Sequence, residues 1–214
     1  MNAYSGSPEP PERANLRGFP KKAVPHGTLF RIHEPKWHPA YFGSKGDKRF
    51  DPPWGFRTEY GTCYVAENQE GAFLETFGRS GQFVARHLVD EHVISELNTA
   101  SPLLSADLNA PKAIQFQVAA DLSGGADYTR PQQWGKLLRD NGYKAVRYSA
   151  SHDPSHAEIC FALFANPPGE HHEVIDYVRS LSPPPASMPI SQQLQDQIQT
   201  RWGITVLDAD RLPD

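Results

Sequence analysis

Short strand-like segments outnumber helical segments along this 214-residue sequence. Runs of β-branched and aromatic residues predict six strands, at residues 27–33, 61–66, within 83–97, 103–108, 144–149 and 159–164. Helical spacing of apolar residues predicts one helix between Asn68 and Gly78 and another between Thr129 and Gly142. So few helices cannot cover both faces of a doubly wound parallel sheet. The pattern therefore predicts an α+β fold, with mixed, mostly antiparallel sheets and a few helices.

The two ends of the chain differ in composition from the middle. Residues 1–24 are rich in Pro, Ser and charged side chains, which predicts a flexible leader. Residues 25–166 carry the strand and helix signals of one domain. Residues 167–214 open with proline clusters, which predicts an extension outside that domain with a short helix at 191–202 and a strand at 204–207.

Composition excludes several classes of protein. No apolar run approaches the ~18–20 residues that span a bilayer, and the N-terminus lacks a signal-peptide pattern, so we expect a cytoplasmic protein without a membrane partner. The net charge is −4 without a long basic block, which argues against direct nucleic-acid binding. Cys63 and Cys160 lie in apolar runs without a CxxC pair, so we expect buried thiols rather than a disulfide or zinc ligands.

A long segment without periodicity separates the first two predicted strands. Such loops are uncommon unless they are functional or disordered. This loop is dense in aromatic residues, which favours function: Trp37, Tyr41, Phe42, Phe50, Trp54 and Phe56. Residues 43–51 within it, Gly-Ser-Lys-Gly-Asp-Lys-Arg-Phe-Asp, combine two glycines with three cations, including Arg49. Such a loop could hold a phosphate, although it lacks the P-loop spacing, and an ordinary solvated surface loop is the alternative.

Three polar residues occupy settings that suggest chemistry. Arg31 lies within the apolar strand Leu-Phe-Arg-Ile and would need an anionic partner if it pointed inward. Glu75 lies in the first helix among Phe73, Leu74 and Phe77, and Tyr64 precedes that helix in a strand. The alternatives are a solvent-facing arginine, an exposed helix glutamate and a tyrosine that packs in the core.

Two further groupings do not support a catalytic or metal site. Ser151, His152 and Asp153 are adjacent in sequence, and adjacent residues rarely converge on one reacting atom; no GxSxG elbow is present. His152 and His156 have helical spacing, but Pro154 lies between them and no HExxH motif occurs. We therefore expect neither a serine hydrolase nor a bound metal.

The order of these segments resembles the RES domain, a family named for an Arg, a Glu and a Ser. The resemblance rests on Leu-Phe-Arg31-Ile, then Lys-Arg49-Phe-Asp, then Thr-Cys-Tyr64-Val-Ala-Glu-Asn-Gln-Glu-Gly-Ala-Phe-Leu-Glu75. It continues with Leu-Leu-Arg-Asp-Asn-Gly-Tyr-Lys-Ala-Val-Arg147-Tyr148 and an apolar strand that ends Phe-Ala-Leu-Phe. Together these segments cover roughly residues 27–166.

The resemblance implies a fold similar to ADP-ribosyltransferases and a pocket for NAD⁺, which would be the substrate. It also implies toxicity through NAD⁺ depletion or ADP-ribosylation, an Xre-type antitoxin as partner, and a homodimer. The family positions imply that Arg31, Glu75 and Tyr64 are catalytic. They place five further residues in binding NAD⁺: Tyr41, Arg49, Arg147, Ser149 and Ser151.

The family serine is where this sequence departs from the pattern. The family usually has Tyr-x-Ser, whereas the residue two positions after Tyr148 is Ala150. Ser149 and Ser151 flank this alanine, and both remain candidates for the serine role. The departure also supports a competing hypothesis, in which the chain is a catalytically inactive RES-like module that binds a nucleotide or a partner protein.

The expected chemistry is cleavage of the bond between nicotinamide and ribose. Such cleavage passes through an oxocarbenium-like state, and positively charged nicotinamide is already a good leaving group. The acceptor stays open: water would make the enzyme a glycohydrolase, phosphate a phosphorylase, and a protein side chain an ADP-ribosyltransferase.

Overall fold

A computed structural model describes residues 7–10, 15–181 and 190–211. Within these ranges the chain forms twelve strands: β1 Lys21–Ala23, β2 Leu29–His33, β3 Tyr41–Phe42, β4 Gly61–Ala66, β5 Phe83–Ala85, β6 Val93–Thr99, β7 Leu104–Asp107, β8 Ala145–Ser149, β9 Ile159–Ala165, β10 Gly169–Glu170, β11 Ile175–Ser180 and β12 Thr205–Leu207. It also forms five α-helices: α1 Gln69–Phe77, α2 Arg86–Asp90, α3 Asp121–Gly124, α4 Thr129–Asp140 and α5 Gln192–Trp202.

Eight of the described strands form the main sheet, in the order β1-β7-β8-β9-β4-β2-β6-β11. Only the β7–β8 pair in this sheet is parallel among the described strands. Two small ribbons complete the strand pairing, an antiparallel one of β3 with β10 and a parallel one of β5 with β12. The predicted α+β class with a mostly antiparallel sheet is therefore confirmed.

Strand β4 lies at the centre of this architecture and is buried along its whole length. Its side chains alternate between two apolar clusters, with Tyr64 in one and Cys63 and Val65 in the other. Cys63 and Cys160 are both buried free thiols, as the sequence predicted. The sheet is thus covered on both faces at the point where the functional candidates cluster.

Helix α1 follows β4 directly, and local sequence sets both of its ends. Oδ1 of Asn68 accepts a hydrogen bond from the backbone N–H of Gly71 at 2.7 Å, which satisfies one of the unpaired donors at the helix start. Gly78 ends the helix. Phe73, Leu74 and Phe77 are buried, and their packing fixes the helix. The position of Glu75, between Leu74 and Thr76, is thereby fixed as well.

The described part of the predicted flexible leader differs from the expectation because it is packed. Strand β1 pairs with β7, and the buried Phe19 ring contacts Phe116 and Trp134. Residues 1–24 are polar on average, so their composition did not predict packing. A few apolar side chains in this stretch nevertheless pack against the domain.

The segment after residue 166 forms the predicted helix and strand as α5 and β12. It also contributes β11, which the sequence did not predict and which pairs with β6 at the edge of the main sheet. The single strand expected within 83–97 is instead β5, the short helix α2 and β6. The predicted domain boundary at 166 stays a prediction, while the residues beyond it add to the same sheet. Among the described residues, none of the helices is both long and apolar enough to cross a membrane.

Candidate active site

The main cavity opens where two neighbouring strands separate. Strands β2 and β4 share one registered pair, Phe30 with Ala66. Beyond this pair, residues of both strands line a cavity of about 550 Å³, within the range typical of small-molecule sites. Six of the eight residues predicted from sequence line it: Arg31, Tyr41, Arg49, Tyr64, Glu75 and Ser151.

Arg31 joins strand β2 to the loop that follows it. Its Nη1 donates to the carbonyl oxygens of Pro39 at 2.5 Å and Tyr41 at 2.8 Å, and it lies 2.9 Å from Sγ of Cys63. The side chain is partly buried on the cavity wall. Nε and Nη2 make no hydrogen bond to the described residues, so these donors of the planar guanidinium can serve a bound anion.

Tyr64 is fixed by two hydrogen bonds at its hydroxyl. The oxygen accepts from the backbone N–H of Phe50 at 2.8 Å, and the hydroxyl donates to Oδ1 of Asp51 at 3.1 Å. Burial and the neighbouring Asp51 charge raise the pKa of Tyr64 well above its usual value, so the phenol stays protonated. Its ring lines the cavity, and Nζ of Lys48 lies 5.2 Å from the ring centroid.

Glu75 presents one satisfied and one unsatisfied carboxylate oxygen. Oε1 accepts from the hydroxyl of Tyr148 at 2.9 Å, whereas Oε2 is shielded from solvent and has no hydrogen-bond partner among the described residues. Burial raises the pKa of Glu75, while the Tyr148 hydrogen bond and the charges of Arg49, Lys48 and Arg79 oppose that rise. An unpaired buried acceptor is costly, so a ligand hydroxyl that donates to Oε2 would remove that cost.

A cationic wall faces this carboxylate. The guanidinium carbons of Arg49 and Arg79 lie 4.9 Å and 4.7 Å from the centroid of the Tyr128 ring. Arg49 is buried, and its Nη1 donates to the carbonyl of Gly125 at 2.9 Å. Two guanidinium groups held in this way, together with Lys48 at the cavity rim, suit an anionic diphosphate.

Arg147 and Ser149 lie elsewhere, which differs from the prediction that they bind NAD⁺. Side chains alternate along β8, so Tyr148 points to the side of Glu75 and its two neighbours point away. Arg147 forms an ion pair with Asp107 at 2.9 Å on the parallel neighbour β7. The Ser149 hydroxyl donates to the carbonyl of His156 at 3.2 Å.

Of the two serine candidates, Ser151 is the one that lines the main cavity. Its hydroxyl donates to the carbonyl of Ser123 at 2.7 Å. Ser149 instead lines a second cavity of about 540 Å³ on the far side of the same loop, which Ser151 also borders. Ala150, two positions after Tyr148, is buried, and its N–H donates to the carbonyl of Glu158 at 2.8 Å.

Sequence reasoning missed several residues of this site. Tyr148, Asp51, Arg79, Tyr128 and His152 each line the cavity or bond to a residue that does. The sequence could have indicated Tyr148, because side chains alternate in direction along β8 and Val146, Tyr148 and Ala150 therefore share a face. Tyr128 precedes α4 by one residue and comes from a segment without a recognisable pattern, so no local signal marked it.

Among the described residues, one group of three side chains could ligate a metal ion: His38, Glu170 and His172, with ligand atoms within 4.8 Å of one another. Nδ1 of His38 accepts a hydrogen bond from the N–H of Ala40 at 3.1 Å, which places the proton of the neutral ring on Nε2. A metal ion would have to displace either that hydrogen bond or that proton. The arrangement therefore does not assign a metal.

These observations define a class: a mostly antiparallel α+β domain with a cavity between β2 and β4 that is lined by guanidinium groups, aromatic rings and one carboxylate. The sequence model of the RES domain matches residues 28–197, so the chain belongs to the RES-domain family. The match extends about thirty residues past the boundary predicted at 166.

The fold is similar to that of a chain in the crystal structure of the M. tuberculosis MbcT–MbcA toxin–antitoxin complex. The TM-score is 0.60 at 14% sequence identity, and the likeness covers 81% of this chain and 89% of that chain. No curated protein sequence matches the chain at a significant level.

Proposed function

We propose that this protein is a toxin-type enzyme that consumes NAD⁺ by cleaving the bond between nicotinamide and ribose. The observation that carries the proposal is that Arg31, Arg49, Tyr64 and Glu75, from four separate segments of the chain, line one cavity. Convergence of cations, a restrained aromatic ring and an unsatisfied carboxylate fits a dinucleotide that carries two phosphates and a ribose. Membership of the RES-domain family supports the same proposal.

The roles follow from where each group lies. Arg49 and Arg79 would bind the diphosphate, with Arg31 as a further donor on the wall of the same cavity. Glu75 would accept a hydrogen bond from a ribose hydroxyl at Oε2, the oxygen without a partner among the described residues. Tyr64 would pack beside the nicotinamide ring, and Ser151 would bond the nicotinamide-side ribose or the amide.

The chemical step breaks the C–N bond, and the bonding electrons leave with nicotinamide, which becomes neutral. Positive charge then develops on the ribose, and the fixed negative charge of Glu75 stabilises it more strongly than in the ground state. With water as acceptor, the oxygen bonds to the ribose carbon and one proton is released. Depletion of free NAD⁺ needs no surface for docking a target protein, so water or phosphate is the acceptor we favour.

A partner protein belongs to the same proposal. The similar solved structure is a toxin in complex with its antitoxin. We propose that this chain is likewise neutralised by an antitoxin, of the Xre type that the family resemblance implies, and that it acts as a homodimer. Co-expression with a neighbouring antitoxin gene and measurement of the mass of the purified complex test both statements.

The deciding experiment follows the loss of NAD⁺ and the appearance of nicotinamide with purified protein, with and without inorganic phosphate. We expect Glu75→Gln to lower the rate by about 10²–10³-fold, because it removes the charge that faces the developing cation. Arg31→Lys should lower it by at least about tenfold, because lysine cannot reproduce the forked contacts of the guanidinium.

Matched controls lie outside the cavity. Glu70→Gln is on the same helix as Glu75, and Arg86→Lys replaces an arginine that pairs with the exposed Asp208. Both should keep wild-type rates. Absence of NAD⁺ loss from wild-type protein, with NAD⁺ binding retained, would instead support the inactive binding module.

A further inference from the structure

The carboxylate of Asp51 joins the cationic loop to the Tyr64 hydroxyl. Asp51 is buried, with 3% of its surface exposed. Its Oδ2 accepts from the backbone N–H groups of Gly46 at 3.0 Å and Lys48 at 3.2 Å, and its Oδ1 accepts from the hydroxyl of Tyr64 at 3.1 Å. One side chain therefore fixes two loop amides and one residue of the cavity wall.

The carbonyl groups of the same loop are fastened by a second side chain. Nε2 of Gln132, on helix α4, donates to the carbonyl of Gly46 at 2.9 Å and that of Lys48 at 3.0 Å. Gly46 has a positive φ of 76°, which an L side chain rarely adopts, so the turn is closed tightly at that point. Asp51 and Gln132 thus satisfy the donors and the acceptors of a loop that presents Lys48 and Arg49 to the cavity.

We propose that Asp51 is a positioning residue, which holds the cationic loop 43–49 and the Tyr64 side chain in one arrangement and thereby sets the affinity for the diphosphate-containing substrate. The assignment rests on the proposed function for the identity of that substrate. Asp51 acts through the two loop amides and the Tyr64 hydroxyl, which is also held by the backbone N–H of Phe50.

The charge state of this carboxylate links the arrangement to pH. Burial raises the pKa of Asp51 to about 6, with Asp47 adding to the rise, while Lys48, the Tyr64 hydroxyl and the loop amide oppose it. Tyr60, which precedes β4, also interacts electrostatically with Asp51. Protonation below pH 6 weakens the acceptor that holds the two loop amides, so substrate affinity should fall there.

The test compares Asp51→Asn with Glu91→Gln, which removes a negative charge from an exposed position outside the cavity lining. With NAD⁺ as substrate at pH 7.5, we expect Asp51→Asn to raise KM by about tenfold or more and to change kcat by less than about threefold. Asp51→Glu should recover part of the affinity, and Glu91→Gln should behave as wild type. Equal KM values for Asp51→Asn and Glu91→Gln would overturn the assignment.

A second readout does not depend on activity. Hydrogen exchange of the Gly46 and Lys48 amides should be slow in wild type and in Glu91→Gln, and at least about tenfold faster in Asp51→Asn. If wild-type protein consumes no NAD⁺ while Asp51→Asn still loses this protection, the proposed function fails and the positioning role stands. If Asp51→Asn does not fold, the test is the pH dependence of the protection factors of the Gly46 and Lys48 amides in the wild-type protein. They should fall between pH 7 and pH 5, and unchanged values would overturn the proposal.

Discussion

The hydroxyl of Tyr148 donates a hydrogen bond to Oε1 of Glu75 across 2.9 Å and thereby joins strand β8 to helix α1. Tyr148 is fully buried, and Oε2 of the same carboxylate has no partner among the described residues. The carboxylate is therefore oriented from one side and open to a ligand on the other. This pair gives the Glu75 carboxylate a fixed direction and leaves its second oxygen available to a ligand.

Replacement of Tyr148 by phenylalanine should raise the pKa of Glu75 further. Burial already raises that pKa, and the Tyr148 hydrogen bond is the largest opposing contribution. Because the ionised carboxylate is the active form in our proposal, the acid limb of the pH–rate profile should move to higher pH. Tyr143→Phe is the control, since that hydroxyl contacts the Phe19 carbonyl outside the cavity. Superimposable profiles for the three proteins would contradict this role.

His33 should make the folded protein sensitive to acid. Its Nδ1 faces the carbonyl of Glu34 and its Nε2 faces the Ser95 hydroxyl. Burial, followed by the nearby Arg31 charge, lowers the pKa of His33 from 6.5 to about 4. The unfolded chain therefore binds the proton more readily, and stability is lost as pH falls from 6.5 towards 4, by up to about 3 kcal/mol.

Asp51 acts in the opposite direction over nearly the same range. Its raised pKa means that the folded state binds the proton more readily, so stability is gained as pH falls from about 6 towards 3.8. In His33→Gln the contribution of His33 is removed, while that of Asp51 remains. Urea unfolding between pH 4 and pH 7 should therefore show the variant gaining stability relative to wild type as the pH falls. His87→Gln, at an exposed position, should follow wild type.

Gly61→Ala should destabilise the protein by roughly 1–3 kcal/mol. A Cβ at this position would lie 2.3 Å from the carbonyl oxygen of Phe42, so backbone would have to move where β3 crosses the start of β4. Gly27→Ala is the matched substitution, because Gly27 lies outside any helix and no described atom beyond its chain neighbours lies within 4 Å of an added Cβ. The difference in unfolding free energy between the two variants measures the close approach. Equal values would show that the β3 backbone moves freely.

The C-terminal helix should support α1 through a buried carboxylate. Arg201 on α5 pairs with Glu158 at 2.7 Å, and Glu158 also accepts from Nδ2 of Asn68, the residue that caps α1. The Glu158 side chain is 2% exposed, so Arg201→Gln leaves a buried charge with less compensation. Since Arg201 is itself half exposed, we expect a loss of about 1 kcal/mol.

The comparison for this prediction is Arg179→Gln. That residue pairs with Glu96 at 2.7 Å, but it is 67% exposed, and exposed pairs contribute little. Thermal or urea unfolding should rank Arg201→Gln as clearly less stable than Arg179→Gln. The reverse order would remove the argument that α5 stabilises the helix of Glu75.

Elements with strong local signals were predictable from sequence. The strand that carries Arg31, the fully buried β4 and the α1 helix with its Asn68 cap all form as expected, because hydrophobic periodicity and capping are local properties. Strand β11 was not predicted. Only its pairing with β6 defines it, and its neighbourhood is rich in proline.

The candidate site was predictable as a set of residue types and only partly as a geometry. Arg31, Tyr64 and Glu75 line one cavity as the ordered motifs suggested. Successive side chains of a strand point to opposite faces. Tyr148 lies between Arg147 and Ser149 in β8, so the sequence could have shown that these two point away from the face of Tyr148. Tyr128 and Arg79 could not be found in this way, because only the tertiary fold brings the Arg79 guanidinium over the Tyr128 ring from a segment distant in sequence.

The single registered pair between β2 and β4 divides the eight-stranded sheet into a group of five strands and a group of three. Beyond that pair the two strands have no registered partners in each other, and residues of both line the cavity. A ligand in the cavity that contacts both groups of strands would connect them. Binding should therefore restrict the motion of the five-strand group relative to the three-strand group. A bound substrate would then act as a structural element of the sheet, because it would connect two groups of strands that share one registered pair in its absence.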